Sequence, residues 1–67
     1  SESSFINQFN IGLSLLSFSQ KEAFCLQQEG FSLAQIAQLT ASESETVRSR
    51  IRYAKQALKK HLEKYRG

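Results

Sequence analysis

The chain lacks the residues that build tight turns, disulfides and membrane spans. Its 67 residues include no proline, methionine or tryptophan, only three glycines and a single cysteine. The absence of proline and the scarcity of glycine favour helices over turn-rich β structure. One cysteine excludes an internal disulfide and fits a reducing, cytoplasmic compartment. No apolar run approaches the length of a membrane span and no signal peptide is visible, so we expect no membrane partner.

Length and composition predict one small globular domain. Hydrophobic residues make up 40% of the chain and charged residues 22%, which suits a folded chain rather than a disordered tail. A chain this short buries a smaller fraction of its surface than a larger domain, so we expect marginal stability. Because the sequence does not begin with methionine, we expect it to be a fragment of a longer protein.

The charge is divided sharply between the two parts of the chain. Residues 1–45 carry one lysine and five glutamates, a net charge of −4, whereas residues 46–67 carry eight basic residues and one glutamate, a net charge of +7. Together they make the +3 of the whole chain. This segregation predicts a basic surface that meets an anionic partner.

Apolar periodicity and capping signals predict four helices. Ser17 with Gln20, and Ser32 with Gln35, have the spacing of capping boxes at two helix starts. Gly30 is the natural end of the second helix because glycine adopts the left-handed conformation that closes helices. The predicted helices span about residues 4–15, 18–29, 33–39 and 44–64.

The fourth predicted helix separates an apolar stripe from a basic face. Ser42 or Glu43 is the candidate cap at its start. At 100° per residue, one side is apolar and the opposite side is rich in arginine and lysine. The apolar stripe consists of Val47, Ile51, Ala54, Leu58 and Leu62.

A short helix, a short turn at 40–43 and a longer basic helix are the parts of a helix-turn-helix. The fold class predicted is therefore all-α, a small four-helix domain over residues 1–67 with a C-terminal helix-turn-helix that is winged-helix-like but has no wing. The long helix would enter the major groove of DNA, which admits one α-helix. The predicted base-reading residues are Arg48, Ser49, Arg52 and Tyr53, and the predicted phosphate-binding residues are Thr46, Lys55, Lys59 and Lys60.

Other polar and reactive residues are assigned structural roles. Arg50 lies beside the apolar stripe, so we expect its stem to pack and its head to pair with Glu22 or a carbonyl. Cys25 is expected to be buried as a small apolar residue. His61 has no second histidine or cysteine at ligand spacing, which argues against a metal site. No nucleophile–base pair or phosphate loop can be assembled, so we expect no enzyme activity, catalytic residue or cofactor.

Two segments resemble region 4 of extracytoplasmic-function (ECF) sigma factors, members of the sigma-70 family. Residues 46–58, TVRSRIRYAKQAL, are similar to the family pattern T-V-K/R-S-R-L/I-x-R-A-R/K-x-x-L. Residues 20–37, QKEAFCLQQEGFSLAQIA, are similar to Q-R-E-x-F-x-L followed by G-L/F-S-x-x-E-I-A. The resemblance covers about residues 13–62. The chain departs from the family at Ser17 (often Pro), Gln35 (often Glu), Ala41 (Gly), Ser42 (apolar) and Tyr53 (Arg).

The resemblance implies a function in transcription initiation in a bacterial cytoplasm, at the nucleoid. Region 4 binds the −35 promoter element through the second helix of its helix-turn-helix. It also docks on the β flap of core RNA polymerase, and many members are held inactive by an anti-sigma factor. DNA contact is carried over onto the predicted base-reading residues, with Thr46 and Lys55 on the backbone, and polymerase contact onto an apolar groove among the first three helices.

Two alternatives remain at the level of the sequence. LuxR-type response-regulator activators share the frame L-S/T-x-x-E/Q followed by G-x-S-x-x-x-I-A, but their recognition helix usually reads T-V-K-x-H. The pattern Arg50-Ile51-x-x-Ala54-Lys55 fits the sigma type better. A helical protein-interaction module is the other alternative, in which the basic helix is simply solvated. Steep salt dependence of duplex binding would distinguish DNA binding from that module.

Overall fold

Four helices account for the fold. The computed structural model describes residues 2–65, with side chains described from residue 4 onward. Within these residues there is no strand. The all-α, four-helix class predicted from the sequence is confirmed, and each helix boundary lies within two residues of its predicted position. The helices are α1 (Glu2–Ser14), α2 (Phe18–Gln28), α3 (Leu33–Leu39) and α4 (Ser44–Glu63).

Both predicted capping boxes form. At the start of α2, the Ser17 backbone N–H donates to Gln20 Oε1 at 3.0 Å, and the Gln20 N–H donates to Ser17 Oγ at 3.2 Å. Ser32 and Gln35 repeat this exchange at the start of α3, at 2.8 and 3.1 Å. Each pair satisfies backbone N–H groups that have no partner inside the helix, so the sequence fixes these two starts locally.

The end of α2 is closed at Gly30, as predicted. Gly30 has a φ of +103°. Its N–H donates to the carbonyl of Gln27 at 3.0 Å, and the Phe31 N–H donates to the carbonyl of Leu26 at 3.2 Å. These two bonds are those of a Schellman motif, which satisfies the last carbonyls of a helix and turns the chain sharply.

The end of α3 is closed in the same way by a residue other than glycine. The Ala41 N–H donates to the Gln38 carbonyl at 3.3 Å, and the Ser42 N–H donates to the Ala37 carbonyl at 2.9 Å. Ala41 has a φ of +52°, a conformation that costs an L-residue about 1–2 kcal/mol. The turn into α4 therefore keeps the backbone geometry that glycine would adopt freely, although alanine stands in its place.

Two apolar clusters make the core, and α4 belongs to both. The first joins α2, α3 and α4, and the second joins α2 and α4 to the α1–α2 connection. The predicted stripe on α4 is confirmed for Val47, Ile51, Ala54 and Leu58, whereas Leu62 is half-buried. The buried members of the first cluster are Ala23, Ile36, Ala37, Val47 and Ile51, and those of the second are Leu16, Phe24, Ala54 and Leu58.

Helix α1 lies against α4 at a close approach. A Cβ atom on Gly12 would lie 2.9 Å from Leu58 Cδ2 and 3.3 Å from His61 Cδ2, so a larger residue there would force these side chains to shift. From the same helix, Phe9 and Leu13 pack against the second cluster. Gly12 therefore allows close packing of α1 on α4 from within α1.

The prediction that Cys25 is buried is wrong, because its side chain is exposed. Helix α2 turns Ala23 and Phe24 into the core. At 100° per residue, Cys25 lies about 150° from the middle of that buried face. The small apolar character of cysteine made burial plausible, but the rotation of α2 is set by its larger neighbour Phe24 and by Ala23.

Candidate nucleic-acid interface

Helix α3 packs against the first half of α4 and fixes its position. Val47 and Ile36 are each 0% exposed, and Ile51 completes the contact one turn further along α4. Because two β-branched side chains meet there in few rotamers, the rotation of α4 about its axis is well determined. The residues between Val47 and Ile51 are thereby directed to fixed positions on the surface.

Arg50 packs against the α3–α4 turn and is not one of the predicted base-reading residues. It is half-buried, and its Nη1 donates to Ser42 Oγ at 2.9 Å, while Ser42 Oγ donates to the Thr40 carbonyl at 3.2 Å. The predicted structural role fits this geometry, but the partner is the Ser42 hydroxyl and not, as predicted, Glu22 or a carbonyl. The bond ties the middle of α4 to the α3–α4 turn. Consistent with this use of Ser42, the N-cap of α4 is Glu43, whose side chain makes no capping bond.

All eight predicted DNA-contacting residues are exposed on α4. They extend from residue 46 to residue 60, about 21 Å along the helix at 1.5 Å per residue. None of them belongs to the core, so each is available to a partner. The exposed residues are Thr46, Arg48, Ser49, Arg52, Tyr53, Lys55, Lys59 and Lys60.

Seven of the eight predicted residues form two adjacent flanks on the surface of α4. One flank is a basic row made of Arg48, Arg52, Lys55 and Lys59, which lie within about 60° of each other on the helix and extend about 16 Å along it. The other flank carries Ser49, Tyr53 and Lys60, about 110° further around.

The basic row borders a depression between α4 and the helices beneath it. Arg48, Arg52 and Lys55 line a cavity of about 350 Å³ whose opposite wall includes Gln27 and Leu33. Gln27 Oε1 is buried and has no hydrogen-bond partner among residues 2–65. The position of Gln27 opposite three cations depends on how α2 and α4 pack, so it could not be predicted from the sequence.

A carboxylate stands beside the leading arginine. Glu45 Oε1 lies 3.3 Å from Arg48 Nε, one turn away on α4, and the two side chains are 85% and 58% exposed. Glu43 and Glu45 both lie at the start of α4, where negative charge is favourable to the helix dipole. The same charges act against a phosphate at Thr46, whose predicted role therefore has the weakest electrostatic support among the eight residues.

The remaining functional expectations concern metals, His61 and membranes. Among the described residues, no group of three His, Cys, Asp or Glu side chains is placed to hold a metal ion. His61 Nε2 lies 3.2 Å from Gln8 Oε1 and its ring contacts Tyr65, so it links α1 to α4.

Within the part of the chain that the structure describes, no helix combines the length and the hydropathy that a membrane crossing needs.

Exposed apolar side chains mark a second surface, which meets the basic row at Lys59. Several lie on α1 and at the start of α2, and Phe18 is the most exposed at 76%. A groove of about 740 Å³ lies between α1 and α4, with Phe5 and Leu62 among its lining residues, rather than among the first three helices alone. The exposed apolar residues of α1, α2 and the connection between them are Phe5, Ile6, Ile11, Leu15 and Phe18.

Comparison of the chain with protein-family models, with curated proteins and with solved structures finds no match.

Proposed function

We propose that this domain binds duplex promoter DNA through α4, as the −35-binding region 4 of a sigma factor that directs RNA polymerase to a promoter. The observation that carries the proposal is the placement of the eight DNA-contacting residues. All are exposed on the helix whose inner face is fixed against α3 by Val47 and Ile36. Arginine and lysine side chains presented from such a rigid helix match the needs of groove reading and phosphate binding.

The division into two flanks supports distinct tasks within the groove. In a helix-turn-helix arrangement, the second helix contacts base edges near its N-terminal end. Arg48 and Arg52 are long enough to reach guanine O6 and N7, with Ser49 and Tyr53 on the adjacent flank. Lys55, Lys59 and Lys60 lie further along α4, where the helix leaves the groove and meets the phosphate backbone.

The choice of family rests on the sequence resemblance over about residues 13–62. Between the two DNA-binding families considered, the pattern Arg50-Ile51-x-x-Ala54-Lys55 favours sigma region 4 over a LuxR-type activator. The structure adds physical support for the scaffold part of that pattern, because Arg50 bonds to Ser42, Ile51 is 4% exposed and Ala54 is 0% exposed. The partners proposed are promoter DNA, the β flap of core polymerase and an anti-sigma factor, in a bacterial cytoplasm.

A protein-interaction module is the second candidate function. The observation that favours it is the exposed apolar surface of α1, α2 and their connection, where Leu15 is 70% and Phe18 76% exposed. Exposed apolar patches mark interaction sites in many proteins. Docking on polymerase would use the same surface, so one domain could have both functions. Protein interaction would be the sole function only if the domain did not bind DNA.

Salt dependence of duplex binding tests the proposal. We expect the affinity for a promoter-length duplex to fall with salt, with a slope of log K against log[salt] of roughly −3 to −6, because a few phosphate contacts release condensed counterions. Fluorescence anisotropy at low protein and varied salt concentrations measures this slope.

Two matched variants show whether the salt dependence comes from the basic row. Lys59→Ala removes a cation of the basic row and is expected to reduce the magnitude of the slope by about 1. Lys21→Ala removes an exposed cation on α2, outside that row, and is expected to leave the slope unchanged. A flat salt response of the unaltered domain, or equal effects of the two variants, would contradict the proposal.

A further inference from the structure

The ion pair between Glu45 and Arg48 occupies one particular edge of the guanidinium. Glu45 Oε1 contacts Nε, the nitrogen nearest the stem, at 3.3 Å. The two terminal nitrogens of Arg48 lie at the other end of the planar group. A bidentate contact to guanine needs two parallel N–H donors in a fixed fork, and the terminal pair remains available for it.

We infer that Glu45 is a positioning residue that orients Arg48 for reading a guanine, and thereby sets the base preference of this domain. The inference rests on the proposed DNA-binding function and extends it to a residue that would not contact phosphate. With Nε held by the carboxylate, rotation of the guanidinium is restricted. The terminal fork, which makes no contact with Glu45, would then be held ready for a base edge.

The groove would strengthen a contact that is weak in water. An exposed ion pair one turn apart contributes little to the stability of the free domain. When the start of α4 enters the groove, water around the pair is displaced and the lower effective dielectric strengthens the attraction. The contact therefore acts mainly in the bound state, where it selects the orientation of Arg48.

The charge of Glu45 also separates base reading from backbone binding. A carboxylate beside Arg48 repels phosphate oxygens, so it disfavours the alternative in which this arginine leaves the base edge for the backbone. Arg52 has no ion-pair partner among residues 2–65, so it is free to bind either target. Of the two arginines in the basic row, Arg48 is therefore the one whose base specificity depends on a neighbouring residue, Glu45.

A helix-dipole role is the ordinary explanation for an acidic residue at this position. Glu43 provides the control, because it lies at the same helix end, carries the same charge and makes no capping bond with its side chain. A dipole effect, or a general repulsion of DNA, would be shared by Glu43 and Glu45. An orienting effect would belong to Glu45 alone and would disappear when Arg48 is absent.

The test compares base preference among Glu45→Ala, Glu43→Ala, Arg48→Ala and the double variant Glu45→Ala/Arg48→Ala. The unaltered 67-residue chain and each variant are mixed with a duplex library that has a randomised central segment. The bound duplexes are then sequenced. The base pair whose preference is lost in Arg48→Ala defines the position read by Arg48. Circular dichroism confirms that each variant is folded at the selection temperature.

We expect Glu45→Ala to lower the guanine preference at that position by about 3- to 10-fold, a part of the roughly 5- to 150-fold that one bidentate contact provides. Its affinity for random duplex should be unchanged or higher, because a negative charge is removed. Glu43→Ala should keep the preference, and Glu45→Ala should cause no further loss in the Arg48→Ala background.

Two other results would overturn the inference. If Glu45→Ala and Glu43→Ala raise the affinity for all duplexes alike and leave the guanine preference intact, Glu45 acts only through its charge, and the proposed DNA-binding function stands. If the unaltered chain selects no sequence and binds no duplex at low salt, both the inference and the proposed function fail.

Discussion

Arg48→Ala should weaken binding to the preferred duplex by about 1–3 kcal/mol and relax the base preference at one position, whereas Arg50→Ala should not change base preference. The two arginines are two residues apart on α4 and carry the same charge. They differ in environment, since the Arg48 side chain is 58% exposed, whereas Arg50 is half-buried and donates to Ser42 Oγ. The pair therefore separates base reading from net charge.

Arg50→Ala is expected to lower stability instead. Its removal deletes a charge-assisted hydrogen bond between α4 and the α3–α4 turn, which contributes about 1–2 kcal/mol when partly buried. Binding to preferred and random duplexes, measured below the melting temperature of each variant, distinguishes the two outcomes. Equal losses on both duplexes for both variants would show that Arg48 supplies only charge, and the base-reading role of Arg48 would be wrong.

Ile36→Ala should destabilise the domain by about 2–4 kcal/mol, the largest effect on folding that we expect from one substitution. Ile36 is 0% exposed and packs in the cluster that fixes α4 on α3. Truncation to alanine leaves a cavity beside Val47, and a small domain has few other contacts with which to fill it. A loss of this size is a large fraction of the stability of a typical domain.

Leu39→Ala is the matched control for Ile36→Ala. It removes a large aliphatic side chain from the same helix, but Leu39 is 61% exposed. We expect a change of at most about 0.5 kcal/mol there, since surface substitutions seldom exceed this. Urea unfolding followed by helical circular dichroism gives both values. Similar losses for the two variants would contradict the assignment of Ile36 to the core that orients α4.

Local signals explain why so much of the fold could be predicted from the sequence. The starts of α2 and α3 depend on residues three apart, Ser17 with Gln20 and Ser32 with Gln35, and such pairs can be identified without tertiary information. The buried stripe of α4 follows from helical periodicity alone. These features are local, so the helix boundaries and the inward face of α4 agree with the prediction.

Features that depend on how helices pack could not be predicted. Cys25 is exposed because α2 buries Ala23 and Phe24, which lie on the other side of the helix, and the packing of Phe24 outweighs the small apolar character of cysteine. The close approach at Gly12 requires knowledge of the path of α1 across α4. The positive φ of Ala41 was not predicted, because alanine seldom adopts it. The position of the turn between α3 and α4 was predicted correctly.

The candidate site shows the same division between local and tertiary information. The exposure of Arg48 and Arg52 follows from the stripe opposite them, and it agrees with the helical wheel. The partner of Arg50 was predicted incorrectly, because Ser42 reaches it only after the α3–α4 turn has closed. The bond between Glu45 and Arg48 is within one turn of helix and could have been found from the i, i+3 spacing.

The central claim is that α4 is the DNA-binding element, and backbone amide mapping by nuclear magnetic resonance tests it most directly. The labelled domain would be titrated with a duplex at low salt, and the shift of each assigned amide would be followed. We expect the largest changes in the turn at 40–43 and in the part of α4 between residues 44 and 60. Changes confined to α1 and the exposed apolar side of α2, or no change at saturating duplex, would contradict it.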